Sequence, residues 1–270
     1  MLIHSYINKP NGMGFGDFLR GSIATKQLCL EYDIPFAIDF SLHPIGKYLN
    51  SAIQKPQIDI DSIIYLQDVP NYDICTLRNT LKKRLSLKSL KKYDAYIYTN
   101  VWPLFGISRQ VSNSIKLYLQ PAIECENAIK QTLAELTEYE VIHIRVGDLL
   151  SFGAQIGDTV NHTLEQIIDS LSIIENIQRA TSRSCIIMSD SAECKRILAE
   201  TYGLRCTSTI PSHMALENDS ALDTLVDFFI LSRARHIHQF SVHHWGSGFS
   251  DSVHWLYRVP ITKHKLSPAN

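Results

Sequence analysis

The chain has 270 residues, 45% of them hydrophobic and 20% charged, with a formal net charge of −1. That balance suits one large globular domain or two smaller ones. It excludes a whole-chain attraction to nucleic acid or anionic lipid, so any anion site must be local. The six cysteines, Cys29, Cys75, Cys125, Cys185, Cys194 and Cys206, make no C-x-x-C pair and no Cys/His ligand spacing. A zinc site or disulfide framework is therefore not expected, and reduced thiols point to a cytoplasmic protein. The start MLIHSYINKP does not read as a secretory leader, and no run approaches the ~18 apolar residues of a membrane span.

In chain order, LIHSYI (2–7) predicts a strand, NKPNGMGFGD (8–17) a loop rich in Gly, Asn and Pro, FLRGSIATKQLCLEY (18–32) a helix and IPFAIDF (34–40) a second strand. Residues 41–93 are less regular: SIIYLQ (62–67) reads as a strand and TLRNTLKKRLSLKSLKKY (76–93) as a helix whose cations form a solvated face. AYIYTNV (95–101) is another strand. From about 121 the alternation is cleaner. Helices are expected at 126–136, 163–181, 191–203, 220–234 and 244–258, and strands at 140–146, 184–190, 204–210 and 235–241. Strand and helix alternating at this spacing predict an α/β protein with parallel sheets, divided into residues 1–120 and 121–270.

In such sheets ligands collect at the carboxyl ends of strands, where loops and helix N-termini supply unpaired N–H groups. Four segments qualify: the loop 12–17, the end of EVIHIRVGD, the SDS at 189–191 and the SGFS at 247–250. Strand side chains alternate faces, so His143 and Arg145 of VIHIRVGD share one face about 6–7 Å apart. An arginine inside an apolar strand needs a partner, and its planar fork matches phosphate oxygens. His143 could donate to a phosphate, ribose or base, and Asp148 could tie down the loop that follows. Gly12, Gly14 and Gly16 match neither G-x-G-x-x-G nor a P-loop. Asp17 reads equally well as a helix N-cap and as a catalytic carboxylate.

Four pieces in this order, GFGDFLRG, HIRVGD, MSDS and HWGSGFSDSVHWL, resemble the GT-B-type fucosyltransferase superfamily of α1,2-, α1,6- and protein O-fucosyltransferases. The resemblance implies two Rossmann-like lobes, with the nucleotide in the C-terminal lobe at the interdomain cleft, residues 1–120 on the acceptor side and 121–270 holding the nucleotide sugar. It further implies that Arg145 grips the β-phosphate of GDP, that His143 lies near the nucleoside and that Asp190 reads guanine or ribose. Ser247, Gly248, Phe249 and Ser250 would cradle the diphosphate, and Gly14, Phe15, Gly16 and Asp17 would face the donor.

The implied activity is inverting and metal-independent, with no cofactor beyond the donor GDP-fucose and with a glycan as acceptor. Charge develops on the leaving phosphate, so Arg145 has the catalytic part. Asp17, then Asp39, are the candidate bases toward the acceptor hydroxyl. Val146 stands where the α1,2 branch carries a second arginine, and Asp17 and Phe18 stand where many relatives have Asn-Gln or Asn-Arg. Transfer from another donor, such as a rhamnosyl or xylosyl nucleotide, and non-catalytic nucleotide or carbohydrate binding are the alternatives.

Overall fold

The computed structural model describes residues 1–6, 14–50, 64–65, 74–84, 94–134, 136–146, 172–180, 184–203, 205–209, 218–241 and 245–265. The chain divides into two compact units, one built mainly from Met1–Cys125 and the other mainly from Glu126–His213 and Asp223–Asn270.

The first unit opens with β1 (Leu2–Ser5), α1 (Phe15–Glu31) and β2 (Phe36–Asp39). A short 3-10 helix (Pro44–Tyr48) follows, then β3 (Ile64–Tyr65), α2 (Ile74–Arg84), β4 (Ala95–Tyr98) and α3 (Arg109–Lys116). Its four strands are all parallel, in the order β2-β1-β4-β3. Leu2 and Ile97 bury one face of the sheet with Ala24, Leu28 and Cys29 of α1 and Ile74, Leu77 and Leu81 of α2. Gly21 lets α1 approach the end of β4 closely, because a Cβ there would overlap the Thr99 carbonyl. His4 fills the same junction. Its Nδ1 pairs with Ser22 Oγ at 2.7 Å and its ring stacks on Phe18 at 4.3 Å.

The second unit contains α4 (Ile123–Thr132), β5 (Tyr139–Arg145), α5 (Ser172–Ala180), β6 (Ser184–Ser189), α6 (Ala192–Tyr202), α7 (Asn218–Arg233), β7 (Ile237–Ser241), α8 (Gly248–Tyr257) and β8 (Ile261–Lys265). Two of these lie across the boundaries, because α4 begins before Glu126 and α7 before Asp223. The sheet order is β6-β5-β7-β8, all parallel. A single parallel bridge from Ile187 to Cys206 adds one more position outside β6. Numbered by sequence within this unit, the order is three-two-one-four-five, so the direction of winding reverses between β5 and β7. That reversal is where a doubly wound sheet opens a ligand crevice. Ile142, Ile144, Ile187 and Phe240 bury one face against Ile174 and Ile177 of α5 and Cys194 and Leu198 of α6.

Several features differ from the sequence expectations, among them α3 and the 3-10 helix, neither of which was anticipated. Among its described residues LRCTSTI contributes one bridge where a full strand was expected, because there only the backbone around Cys206 pairs with Ile187. ITKHK forms an edge strand that no apolar pattern announced. The loop ending at Asp17 is shorter than expected, since α1 already begins at Phe15. The expected residues 7, 62–63, 66–67, 85–93, 135, 163–171, 181, 204, 210 and 244 of strands and helices, like residues 8–13 of the loop 8–17, lie outside the described residues. Among the described residues no helix is long and apolar enough to cross a membrane.

Candidate functional site

β5 is apolar because most of it is enclosed: Val141, Ile142 and Ile144 are fully buried. Pleating sends His143 and Arg145 to the face opposite Ile142 and Ile144, and the parallel register sets His143 beside Gln239 of β7 and Arg145 beside Ser241. Arg145 ends the strand with its guanidinium paired to Asp190, the residue just past β6. The same carboxylate accepts the Val146 N–H at 2.9 Å through its other oxygen. Both side chains of the pair are only 16% exposed. The guanidinium is therefore held in place and little screened by water.

His143 lies deeper. Its Nδ1 is 3.0 Å from Ser250 Oγ and its ring centroid is 5.9 Å from that of Phe249. Burial lowers its pKa to about 4, with Asp190 opposing the shift and Arg145 adding to it. The imidazole is neutral at physiological pH.

Ser250 and Phe249 belong to the first turn of α8, whose N-cap is Ser247. Ser247 makes no side-chain cap bond, unlike Ser108 and Ser191, which accept Val111 N–H and Cys194 N–H. The first N–H groups of α8 thus lack the satisfaction that a capping serine gives, in the position that suits an anion. Gly246 brings the chain into this turn with φ of 86°, and a Cβ there would overlap the Gln239 side chain.

Beneath the turn runs a polar chain that the sequence reading missed. Gln239 Nε2 donates to Ser250 Oγ at 2.7 Å and to Asp251 Oδ1 at 3.1 Å, and Lys263 Nζ lies 2.8 Å from the same Oδ1. The available signal was a glutamine inside the apolar strand IHQFS, in register with His143. Its partners could not be read, because they come from α8 and the edge strand. A second buried cluster went unnoticed too. Thr209 donates from Oγ1 to Asp227 Oδ1 at 2.5 Å, while Lys195 donates to the Thr209 carbonyl. Burial raises the Asp227 pKa to about 7, against the opposing effects of Thr209 and Lys195.

In the first unit, Gly14 is the N-cap of α1, and Phe15, Gly16 and Asp17 form its first turn. Asp17 is therefore not the N-cap. It pairs at 3.1 Å with Arg20, which donates from Nε to the Asn100 carbonyl at 2.7 Å and stacks 4.1 Å over the Trp102 ring. Asp39 ends β2 and is engaged locally: Ser41 N–H and Ser41 Oγ–H donate to its two oxygens at 2.8 and 3.0 Å.

No family model matches the chain, and no curated protein matches it. Solved structures do. The α1,6-fucosyltransferase NodZ from Bradyrhizobium aligns over 99% of this chain and 96% of its own, with a TM-score of 0.59 and 12% identity. NodZ soaked with GDP-fucose aligns over 94% and 92%, with a TM-score of 0.55 and 12% identity. A point mutant of Arabidopsis thaliana FUT1 in complex with GDP aligns over 100% of this chain and 70% of its own, with a TM-score of 0.53 and 11% identity. The fold is that of the GT-B fucosyltransferases.

The expected residues of this fold's second unit, His143, Arg145, Asp190, Ser247, Gly248, Phe249 and Ser250, form one group around the carboxyl end of β5 and the start of α8. Asp190 has both oxygens engaged, on Arg145 and on Val146, which makes it the anchor of the guanidinium. Gly14, Phe15, Gly16, Asp17 and Asp39 gather at the carboxyl ends of β1 and β2 in the first unit. Gly147 and Asp148 lie outside the described residues. Among the described residues no group of three or more His, Cys, Asp or Glu side chains is arranged to hold a metal ion.

Proposed function

We propose that the protein is an inverting glycosyltransferase that transfers L-fucose from GDP-fucose to a glycan hydroxyl. The observation that carries this reading is the Arg145 guanidinium, fixed by Asp190 at the carboxyl end of β5, the strand whose His143 meets the first turn of α8. A GDP leaving group gains charge on its β-phosphate as the bond to the sugar breaks. A preplaced cation and oriented N–H groups stabilise that charge more in the transition state than in the ground state. Arg145 takes the place a divalent metal has in other transferases, so the reaction as proposed needs none.

The proposed roles are as follows. Arg145 binds the β-phosphate, Asp190 holds Arg145, Ser247 and the first backbone N–H groups of α8, that of Ser250 among them, receive the diphosphate, and His143 donates to the nucleotide. The second unit, Glu126–His213 with Asp223–Asn270, thus holds the donor in this proposal. For the acceptor hydroxyl we assign Asp17 as base in preference to Asp39. Asp17 is 31% exposed and, among the described residues, held by Arg20, whereas Asp39 is buried with both oxygens engaged by Ser41. Gly14, Phe15 and Gly16 present that carboxylate at the start of α1.

The test is a turnover panel of GDP-fucose, other GDP-sugars, UDP-sugars and CDP-sugars with mixed glycan acceptors. The expected result is fucosyl product from GDP-fucose alone. Turnover of a different sugar nucleotide in its place would redirect the donor assignment, and binding without turnover of any donor would contradict the reading.

A further inference from the structure

The polar chain behind the α8 turn determines which nitrogen of His143 bears the proton. Gln239 has one orientation, because its amide nitrogen faces the Asp251 carboxylate at 3.1 Å. Rotating the amide would put two acceptor oxygens against each other, and Lys263, paired with Asp251 at 2.8 Å, holds that carboxylate in place. Gln239 and Asp251 are 1% and 3% exposed, so water does not substitute for either.

With the amide fixed, Gln239 donates to Ser250 Oγ at 2.7 Å, which leaves the Ser250 hydroxyl hydrogen to be placed. Among the described residues Ser250 Oγ has one other partner, His143 Nδ1 at 3.0 Å. If Nδ1 carried a proton, two donors would meet the hydroxyl oxygen and its own hydrogen, fully buried, would have no acceptor. An unmade buried donor is costly. The consistent pattern is one-directional: Gln239 donates to Ser250, and Ser250 donates to His143 Nδ1.

We infer that Gln239 is a positioning residue that holds His143 as the neutral Nε2–H tautomer, ready to donate a hydrogen bond to a nucleoside diphosphate. The use of that donor rests on the functional reading above, while the tautomer does not. Among the described residues Nε2 makes no hydrogen bond, and in this proposal its N–H is the one that meets the ligand. His143 thereby acts as a hydrogen-bond donor and takes no proton from the acceptor, because its basic nitrogen is turned inward onto Ser250.

The experiment uses the full chain with 15N-labelled histidine, free and with GDP, and reads the ring nitrogens of His143 by long-range 1H–15N NMR. The expected wild-type spectrum shows a protonated Nε2 and a bare Nδ1 at neutral pH without nucleotide. In Gln239→Met, which keeps the length and removes the donor, the two tautomers mix and GDP affinity falls about tenfold, the value of one hydrogen bond to a charged group. Ser250→Ala repeats the spectral change by removing the intermediate hydroxyl, should Gln239→Met fail to fold. A wild-type His143 protonated at Nδ1 or at both nitrogens would overturn the inference, as would an unchanged tautomer in either folded variant. Wild type with the expected tautomer but no affinity for GDP would overturn the functional reading and leave the tautomer established.

Discussion

Arg145 makes the sharpest claim at the scale of one residue, since a guanidinium in an apolar strand is tolerated only when its charge is matched, here by Asp190. Arg145→Lys keeps the charge and loses the fork, so turnover should fall on the order of 10²-fold, measured as kcat on GDP-fucose. Asp190→Asn keeps an acceptor for Val146 N–H and releases Arg145; kcat should fall by about tenfold with the fold intact. An unchanged kcat in either variant would remove Arg145 from the chemistry. Titration gives a separate test. Burial lowers the pKa of His4 to about 3 and that of His143 to about 4, from 6.5. Between the folded and unfolded values the unfolded chain binds more protons, so both histidines remove stability as pH falls below 6.5. Asp227 acts in the opposite direction. Its folded pKa of about 7 exceeds the unfolded 3.8, so it adds stability as pH falls through that window. Burial lowers His236 and His264 as well, so the histidines outweigh Asp227 and stability should fall as pH drops from about 6 toward 4. Asp227→Asn should steepen that slope, as read by urea unfolding at a series of pH values.

At the scale of an element, the starts of α6 and α8 make a controlled comparison within one unit. Ser191 accepts a cap bond from Cys194 N–H, whereas Ser247 accepts none. Ser191→Ala should cost about 1 kcal/mol of stability and Ser247→Ala less than half of that. The loss in Ser247→Ala should appear in GDP affinity, and calorimetry against thermal melting separates the two effects. Gly21→Ala should destabilise by roughly 3 kcal/mol or more, since α1 must lift off the Thr99 carbonyl to admit a methyl. The elements themselves were legible wherever burial imposes a period. β5 and β7 read correctly because their inward positions are Ile, Val and Phe, and α7 because LVDFFIL is buried nearly throughout. β8 was not legible: as an edge strand among the described residues it needs only Ile261 to be apolar, and Thr262, Lys263 and His264 look like any surface loop. LRCTSTI (204–210) was over-read as a strand, because among its described residues Cys206 alone pairs.

Across the whole molecule, sequence order revealed where the chemistry gathers but not how it is wired. His143 and Arg145 could be placed on one face from pleating alone, and their position at a strand end pointed to the crevice. The ion pair of Arg145 with Asp190 spans 45 residues, and the pairing of His143 with Ser250 spans 107. Such contacts follow from which strands are neighbours, and that is fixed by the order β6-β5-β7-β8 and not by local pattern. Gln239, Asp251 and Lys263 stayed hidden for the same reason, since each looks ordinary in its own segment. The central claim is that one anchored guanidinium grips a diphosphate, and isothermal titration of GDP into wild type and Arg145→Gln tests it most directly. The account predicts saturable binding to the wild type and an affinity at least about a hundredfold weaker in a folded variant, the value of a charge-assisted pair. Equal affinities, or no binding of GDP to the wild type, would contradict it.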